Sequence, residues 1–195
     1  MARPIAVAIT GGIGAGKTEA LRSFARHGAA TVSSDEIVHH LLRRADVRDA
    51  VVERMGHGIV GPNGEIDRYA LATVVFNDRD ALAWLESTLH PLVSAEYLQW
   101  REQLAALPEA PQVCVTEVPL LYETGGDSRF DKVVVITAPS KLRRARSQVA
   151  TDDRASRLLD DREKVARADY SYKNIGTIEE LDAFVGSVMD DLVSA

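Results

Sequence analysis

An α/β fold built on a buried parallel sheet is predicted by three features of the sequence. Short, continuous apolar runs rich in Val and Ile stand at PIAVAIT near the start, VCVTEV at 113–118 and KVVVITA at 132–138. Runs that are apolar on both faces fit strands covered on both sides. The first run passes at once into glycines and then into the helical pattern TEALRSFARHG, ending at Gly28, which reads as strand, turn, helix. Residues 35 to 107 are mostly helical in pattern, interrupted by GHGIVGPNGEID, whose Gly, Pro and Asn mark a loop.

The remaining elements follow in order. An apolar TV at 31–32 ends a second strand, after which the helical insertion begins. Beyond Pro139 the chain becomes helical and Arg-rich, and NIGTIEELDAFVGSVMDDLVSA reads as a turn followed by a closing amphipathic helix. The expected organisation is a single chain of three parts. A core comprises about 1–34, 110–140 and 168–195, a helical insertion about 35–109, and a short helical lid about 141–167.

Composition bounds the function. The chain has 195 residues, 46% hydrophobic and 27% charged, enough to bury a sizeable core. No apolar run reaches the roughly 18 to 20 residues of a membrane span, and the N-terminus lacks a signal-peptide pattern. A cytoplasmic protein is expected, with no membrane partner. The lone Cys114, in QVCVTEV, reads as a small buried hydrophobe. A net charge of −6 argues against wrapping nucleic acid. Residues 141–167 nonetheless carry nine Lys or Arg against five Asp or Glu. Such a basic segment fits either a small anionic ligand or a solvated helix face.

The sharpest motif is GGIGAGKT. Gly11, Gly16, Lys17 and Thr18 satisfy G-x-x-x-x-G-K-[ST], and the motif follows a strand and opens a helix, the context a phosphate cradle requires. Gly12, Ile13, Gly14, Ala15 and Gly16 bring backbone amides around phosphate oxygens, and the helix adds its positive N-terminus. Lys17 bridges the terminal phosphates and Thr18 ligates Mg²⁺. These residues are the expected ATP site and make the fold a three-layer P-loop sandwich. No N-K-x-D guanine motif is present, and the length leaves little room for a motor, so a small-molecule kinase is favoured.

Six blocks then appear in order: GGIGAGKT, SSDEIVHHLL, GPNGEIDRYALATVVFND, LESTLHPLV, EVPLLYE and REKVARADYSYKNIGTIEEL. Together, from Ile5 to about Leu181, they resemble the dephospho-CoA kinase family. The resemblance implies transfer of the ATP γ-phosphoryl group to the ribose 3′-hydroxyl of dephospho-CoA, with Mg²⁺; a monomer or small homo-oligomer is expected. It implies that Asp35 is the base toward the 3′-hydroxyl; read from the residues alone, Asp35 serves equally well as the N-cap of a helix beginning near Glu36. Asp67 and Arg68 match an acceptor-side pair and His90-Pro91 a second acceptor element. From the residues alone, Asp67 caps the helix RYALATVVF, and His90 is a core histidine before a helix-starting proline. Glu117 is expected to help hold Mg²⁺, and Leu120, Leu121 and Tyr122 either line the acceptor wall or belong to the core. Arg143 with Arg146, and Arg154 with Arg157, share helix faces at i, i+3. Arg154 is the best match to a lid arginine that stabilises charge on the transferring group. Asn174 and Gly176 match the loop that packs on adenine, where a carbonyl or side-chain amide reads the base.

The chain departs from that family's pattern at three places. Ser33-Ser34-Asp35 stands where D-x-D is usual, the stretch between Arg146 and Arg154 is short, and Leu158 replaces a glutamine. Two alternatives therefore accompany the reading: a nucleotide-binding protein with a degenerate lid and little turnover, and a small kinase for a nucleoside or nucleotide acceptor. Retention of Lys17, Asp35 and Arg154 speaks against the first and the HP and VPLLYE blocks against the second.

Overall fold

A computed structural model describes residues 3–146 and 159–194. The chain divides into two compact units, Met1–Ser33 with Arg101–Ala195, and Ser34–Trp100. Among the described residues no helix is long and apolar enough to cross a membrane.

The first unit holds a five-stranded sheet of β1 (Ile5–Thr10), β2 (Ala30–Ser33), β3 (Val113–Glu117), β4 (Lys132–Thr137) and β5 (Tyr170–Lys173). The order is β2-β3-β1-β4-β5 and every pairing is parallel. Alternation along the central strands sends side chains to two cores. Val7, Ile9, Val113, Val115, Val134 and Ile136 pack in one with Leu21, Phe24, Leu181 and Val185. Ala8, Val133 and Val135 pack in the other with Leu121 and Tyr122. Burying each large apolar side chain contributes about 1.5–3 kcal/mol, which is why the strands read as unbroken apolar runs.

Helix α1 (Lys17–Arg26) follows β1 through the glycine loop. It ends in paired bonds from Gly28 N–H to the Ala25 carbonyl (3.1 Å) and from Ala29 N–H to the Phe24 carbonyl (3.0 Å). That is a Schellman ending, with Gly28 at positive φ. The second unit contains α2 (Ser34–Leu41), α3 (Ala45–Met55), α4 (Arg68–Asn77) and most of α5 (Arg79–Ala105). The loop before α4 closes on a bridge between Val60 and Ile66. Back in the first unit are α6 (Ser140–Arg146), α7 (Asp161–Arg167) and α8 (Ile178–Ser194). Thr177 and Glu180 cap α8 reciprocally: Glu180 Oε2 accepts from the Thr177 amide (2.9 Å) and Thr177 Oγ1 from the Glu180 amide (3.3 Å).

Three expectations change. β5 was not foreseen, because the four residues YSYK alternate half-buried and exposed and form a sheet edge with no apolar run. Helix α2 starts at Ser34, so Asp35 lies inside the first turn and is not the N-cap of a helix from Glu36. Pro91 sits in the interior of α5 rather than opening a helix, and His90 beside it is exposed rather than a core histidine. By contact within the chain, the second unit ends at Trp100, part-way along α5.

Helix α1 is tied to α8 by one carboxylate. Asp182 accepts from Ser23 Oγ (2.6 Å) and from the Arg26 guanidinium (2.7 and 3.0 Å), with His27 Nε2 at 3.2 Å and Glu19 paired to the same Arg26. The Ser23 bond, then Arg26, holds the Asp182 carboxyl down at about 2, against an ordinary 3.8. A depressed carboxyl stabilises the fold above its unfolded value and loses that contribution as pH falls towards the folded value. Asp182→Asn should therefore melt below the parent at neutral pH. The gap should narrow below about pH 4 and close near about pH 2, as followed by thermal denaturation across that range.

Candidate active site

Residues 11–16 connect β1 to α1, so the loop leaves the carboxyl end of the central strand, where open α/β sheets bind ligands. Gly16 is the N-cap of α1 at φ 104° and provides no side-chain cap. The first amides of the helix thus remain available to an anion, reinforced by the helix dipole. Only glycine serves at Gly16, since a Cβ there would also run into the Asn174 side-chain amide.

Three side chains meet at the mouth of the loop. Lys17 is buried, and its Nζ donates to the Gly12 carbonyl (3.1 Å) and stands 4.0 Å from Glu117 Oε1. Thr18 Oγ1 donates to Glu117 Oε2 (3.1 Å). Glu117 is the last residue of β3, in register with Ile9 and Ser33, so the sheet pairing itself carries its carboxylate to the P-loop. Among the described residues no cluster of three His, Cys, Asp or Glu is placed to hold a metal. The Thr18 hydroxyl and Glu117 carboxylate are instead a pair of hard oxygen donors. That set suits a Mg²⁺ ion bound by one or two protein groups and completed by phosphate oxygens and water.

Arg143 on α6 lies against the loop, its guanidinium beside Gly12 and its backbone beside Gly14, and it pairs with Asp161 at 3.4 Å. It also lines a cavity of about 390 Å³ at the carboxyl ends of β4 and β5, with Pro139, Arg162 and Lys173 on the walls.

The family model described as Dephospho-CoA kinase matches residues 5–180. The chain belongs to the dephospho-CoA kinase family. Members similar to it include the Dephospho-CoA kinase of Streptomyces avermitilis, 38% identical with 96% of this chain and 93% of the relative covered. That of Protochlamydia amoebophila is 36% identical with 95% of each covered. Among solved structures, one from Thermus thermophilus superposes with a TM-score of 0.77 at 28% identity, covering 98% of this chain and 99% of that one. The Dephospho-CoA kinase of Campylobacter jejuni superposes with a TM-score of 0.68 at 24% identity, covering 98% of both. A shikimate kinase from Aquifex aeolicus shares the fold, at TM-score 0.53 and 15% identity. Membership of the family makes this chain an ATP-dependent kinase.

The family-matched residues fall into four groups. Lys17, Thr18, Glu117 and the loop glycines converge, and Asn174 joins them through the Ala15 carbonyl. In the second unit Asp67 caps α4, accepting from the Tyr69 (2.8 Å) and Ala70 (3.2 Å) amides, and Asp35, Arg68 and His90 are exposed. Leu121 and Tyr122 are core residues, because the second face of the sheet needs apolar cover, which leaves only half-buried Leu120 for a ligand-facing wall. Arg154, with Arg157 and Leu158, lies outside the described residues.

Residue-level reasoning passed over one pair. Lys164 Nζ on α7 meets Glu123 Oε1 at 2.7 Å with the lysine wholly buried, and that oxygen also accepts the Leu159 amide (3.0 Å). The Arg167 guanidinium lies over the Tyr122 ring at 4.1 Å and pairs with Asp127 at 3.0 Å. Burial pushes the Tyr122 phenol upward while Arg167 pulls it back. Glu123 ends the VPLLYE block, yet nothing in its spacing marks a partner 41 positions later. Removing one member of a buried pair strands the other, so these contacts clamp α7 to the segment after β3.

Leu121→Ala should cost about 2–5 kcal/mol in urea denaturation, the range for emptying a packed leucine site. Leu120→Ala should cost well under half as much and show its effect in acceptor KM instead.

Proposed function

We propose that this chain transfers the γ-phosphoryl group of ATP to the ribose 3′-hydroxyl of dephospho-CoA, giving CoA and ADP, the last step of coenzyme A synthesis, in the cytoplasm. The observation that carries the reading is the meeting of Lys17, Thr18 and Glu117 at the P-loop in a chain of this family.

The roles follow from chemistry. Loop amides and the α1 N-terminus hold the phosphates, and Lys17 places a point charge between the β- and γ-phosphoryl groups. Thr18 and Glu117 would hold Mg²⁺, which when bound neutralises charge gathering on the phosphate oxygens. The acceptor oxygen bonds to the γ-phosphorus as the bridging P–O bond to ADP breaks, and Asp35 takes the hydroxyl proton. Arg68, His90 and the open face of Leu120 belong to acceptor binding, with Asp67 holding Arg68 at the start of its helix. Arg154 supplies a second cation to the transferring group.

The test is ADP release with ATP and Mg²⁺, with dephospho-CoA, adenosine and AMP offered side by side. Turnover with dephospho-CoA alone and a product of CoA mass is expected; tight ATP binding without turnover on any acceptor would sink the proposal. Lys17→Ala should stay folded by circular dichroism and lose about 10²-fold or more in kcat. Asp35→Asn should bind both substrates with near-parental affinity by calorimetry and lose a similar factor in kcat.

A further inference from the structure

We propose that Asn174 is a positioning residue for the triphosphate cradle and not a reader of the nucleotide base. The inference rests on the P-loop being the ATP site. Asn174 follows β5, 159 positions after Ala15, and its side-chain Nδ2 donates to the Ala15 carbonyl at 2.9 Å. Ala15 is wholly buried and Asn174 is 6% exposed, so this is an interior bond whose loss leaves a carbonyl without that donor. Ala15 precedes Gly16, the left-handed residue that turns the loop into α1. The bond therefore acts at the point that sets the direction of the first helical amides.

The brace is itself rigidly held. The Asn174 amide donates to the Thr137 carbonyl at 2.7 Å, and the Asn174 carbonyl accepts from Arg146 at 3.4 Å. Beyond it, the reciprocal Thr177–Glu180 cap fixes the start of α8. Behind it, β5 is fastened to the same helix by the Tyr170 hydroxyl, which donates to Asp191. Asn174 thus carries the position of the β5–α8 connection into the P-loop. A side chain so buried and so committed offers a base little; Ile175, 61% exposed, and Gly176 are the open part of the loop.

A base reader and a loop brace differ in what their removal changes. Binding of ATP, GTP and inorganic triphosphate to the full chain is measured by calorimetry, with acceptor KM alongside. Asn174→Ala should weaken all three by a common factor of about tenfold, the scale of one stranded buried acceptor. The ATP to GTP preference should stay within about twofold, as should acceptor KM. A general loss of structure would raise acceptor KM as well and overturn the assignment, as would triphosphate binding that stays at the parental level. Asn174→Asp, of equal size, turns a donor into an acceptor facing a carbonyl and should weaken triphosphate binding further. In the unaltered protein without nucleotide, the Asn174 side-chain amide protons should exchange slowly with solvent by NMR, and rapid exchange would overturn the brace whatever the variants do. Failure of the unaltered chain to bind ATP at all would remove the ATP-site reading itself, a result distinct from parental triphosphate binding in Asn174→Ala.

Discussion

A loop that binds triphosphate through its backbone must hold its amides around an empty centre, and here only the Ala15 amide is recorded as bonded within the loop, to the Gly12 carbonyl at 3.2 Å. That constraint governs the first unit. A glycine-rich chain has little intrinsic preference for one such shape, so the shape has to be imposed from outside. Here it is imposed by β1, which delivers the loop at the carboxyl edge of the sheet, and by three contacts from distant positions. Glu117 reaches in from β3, Arg143 lies along the glycines, and Asn174 holds the Ala15 carbonyl. The sheet order places β3 and β4 on either side of β1, which puts two of those three contacts on flanking strands or the segments that follow them.

The rest of the first unit keeps those neighbours still. Asp182 binds Ser23, Arg26 and His27 of α1 from α8, so the helix that presents Lys17 and Thr18 cannot pivot about the loop without breaking a network of charged hydrogen bonds. On the other face of the sheet, Leu121 and Tyr122 complete a small core, and Lys164, Glu123 and Arg167 clamp α7 over it. A wholly buried lysine is a weak source of stability when its desolvation is counted. Its use here is geometric: it joins the segment after the phosphate-facing strand to the helix that precedes β5.

Catalytic power in such a site comes from charge placed in advance rather than from chemistry performed by the protein. Lys17, the loop amides and the oxygen pair of Thr18 and Glu117 are all set by elements of one unit. Asp35, Arg68 and His90, the proposed acceptor-side residues, are carried by helices of the second. On the proposed function, the donor nucleotide belongs to a sheet-based scaffold and the acceptor to a helical one.

Much of this was legible in the sequence where the physics is local. The central strands are apolar on both faces because both are buried, and the glycine spacing before Lys17-Thr18 follows from backbone contact with phosphate. Gly28 ends α1 because a left-handed residue is needed there, and Asp67 caps α4 through bonds to amides two and three residues on. The tertiary structure decided what depends on residues far apart in the chain. The edge strand β5 has no apolar run of its own and exists because β4 offers it a ladder. Leu121 and Tyr122 became core because the second sheet face lacked cover, and Lys164 became buried because Glu123 awaited it. Asn174, marked by its resemblance as part of an adenine loop, turned inward to a carbonyl 159 positions away, since only the folded chain brings a buried acceptor and a buried donor to the same place.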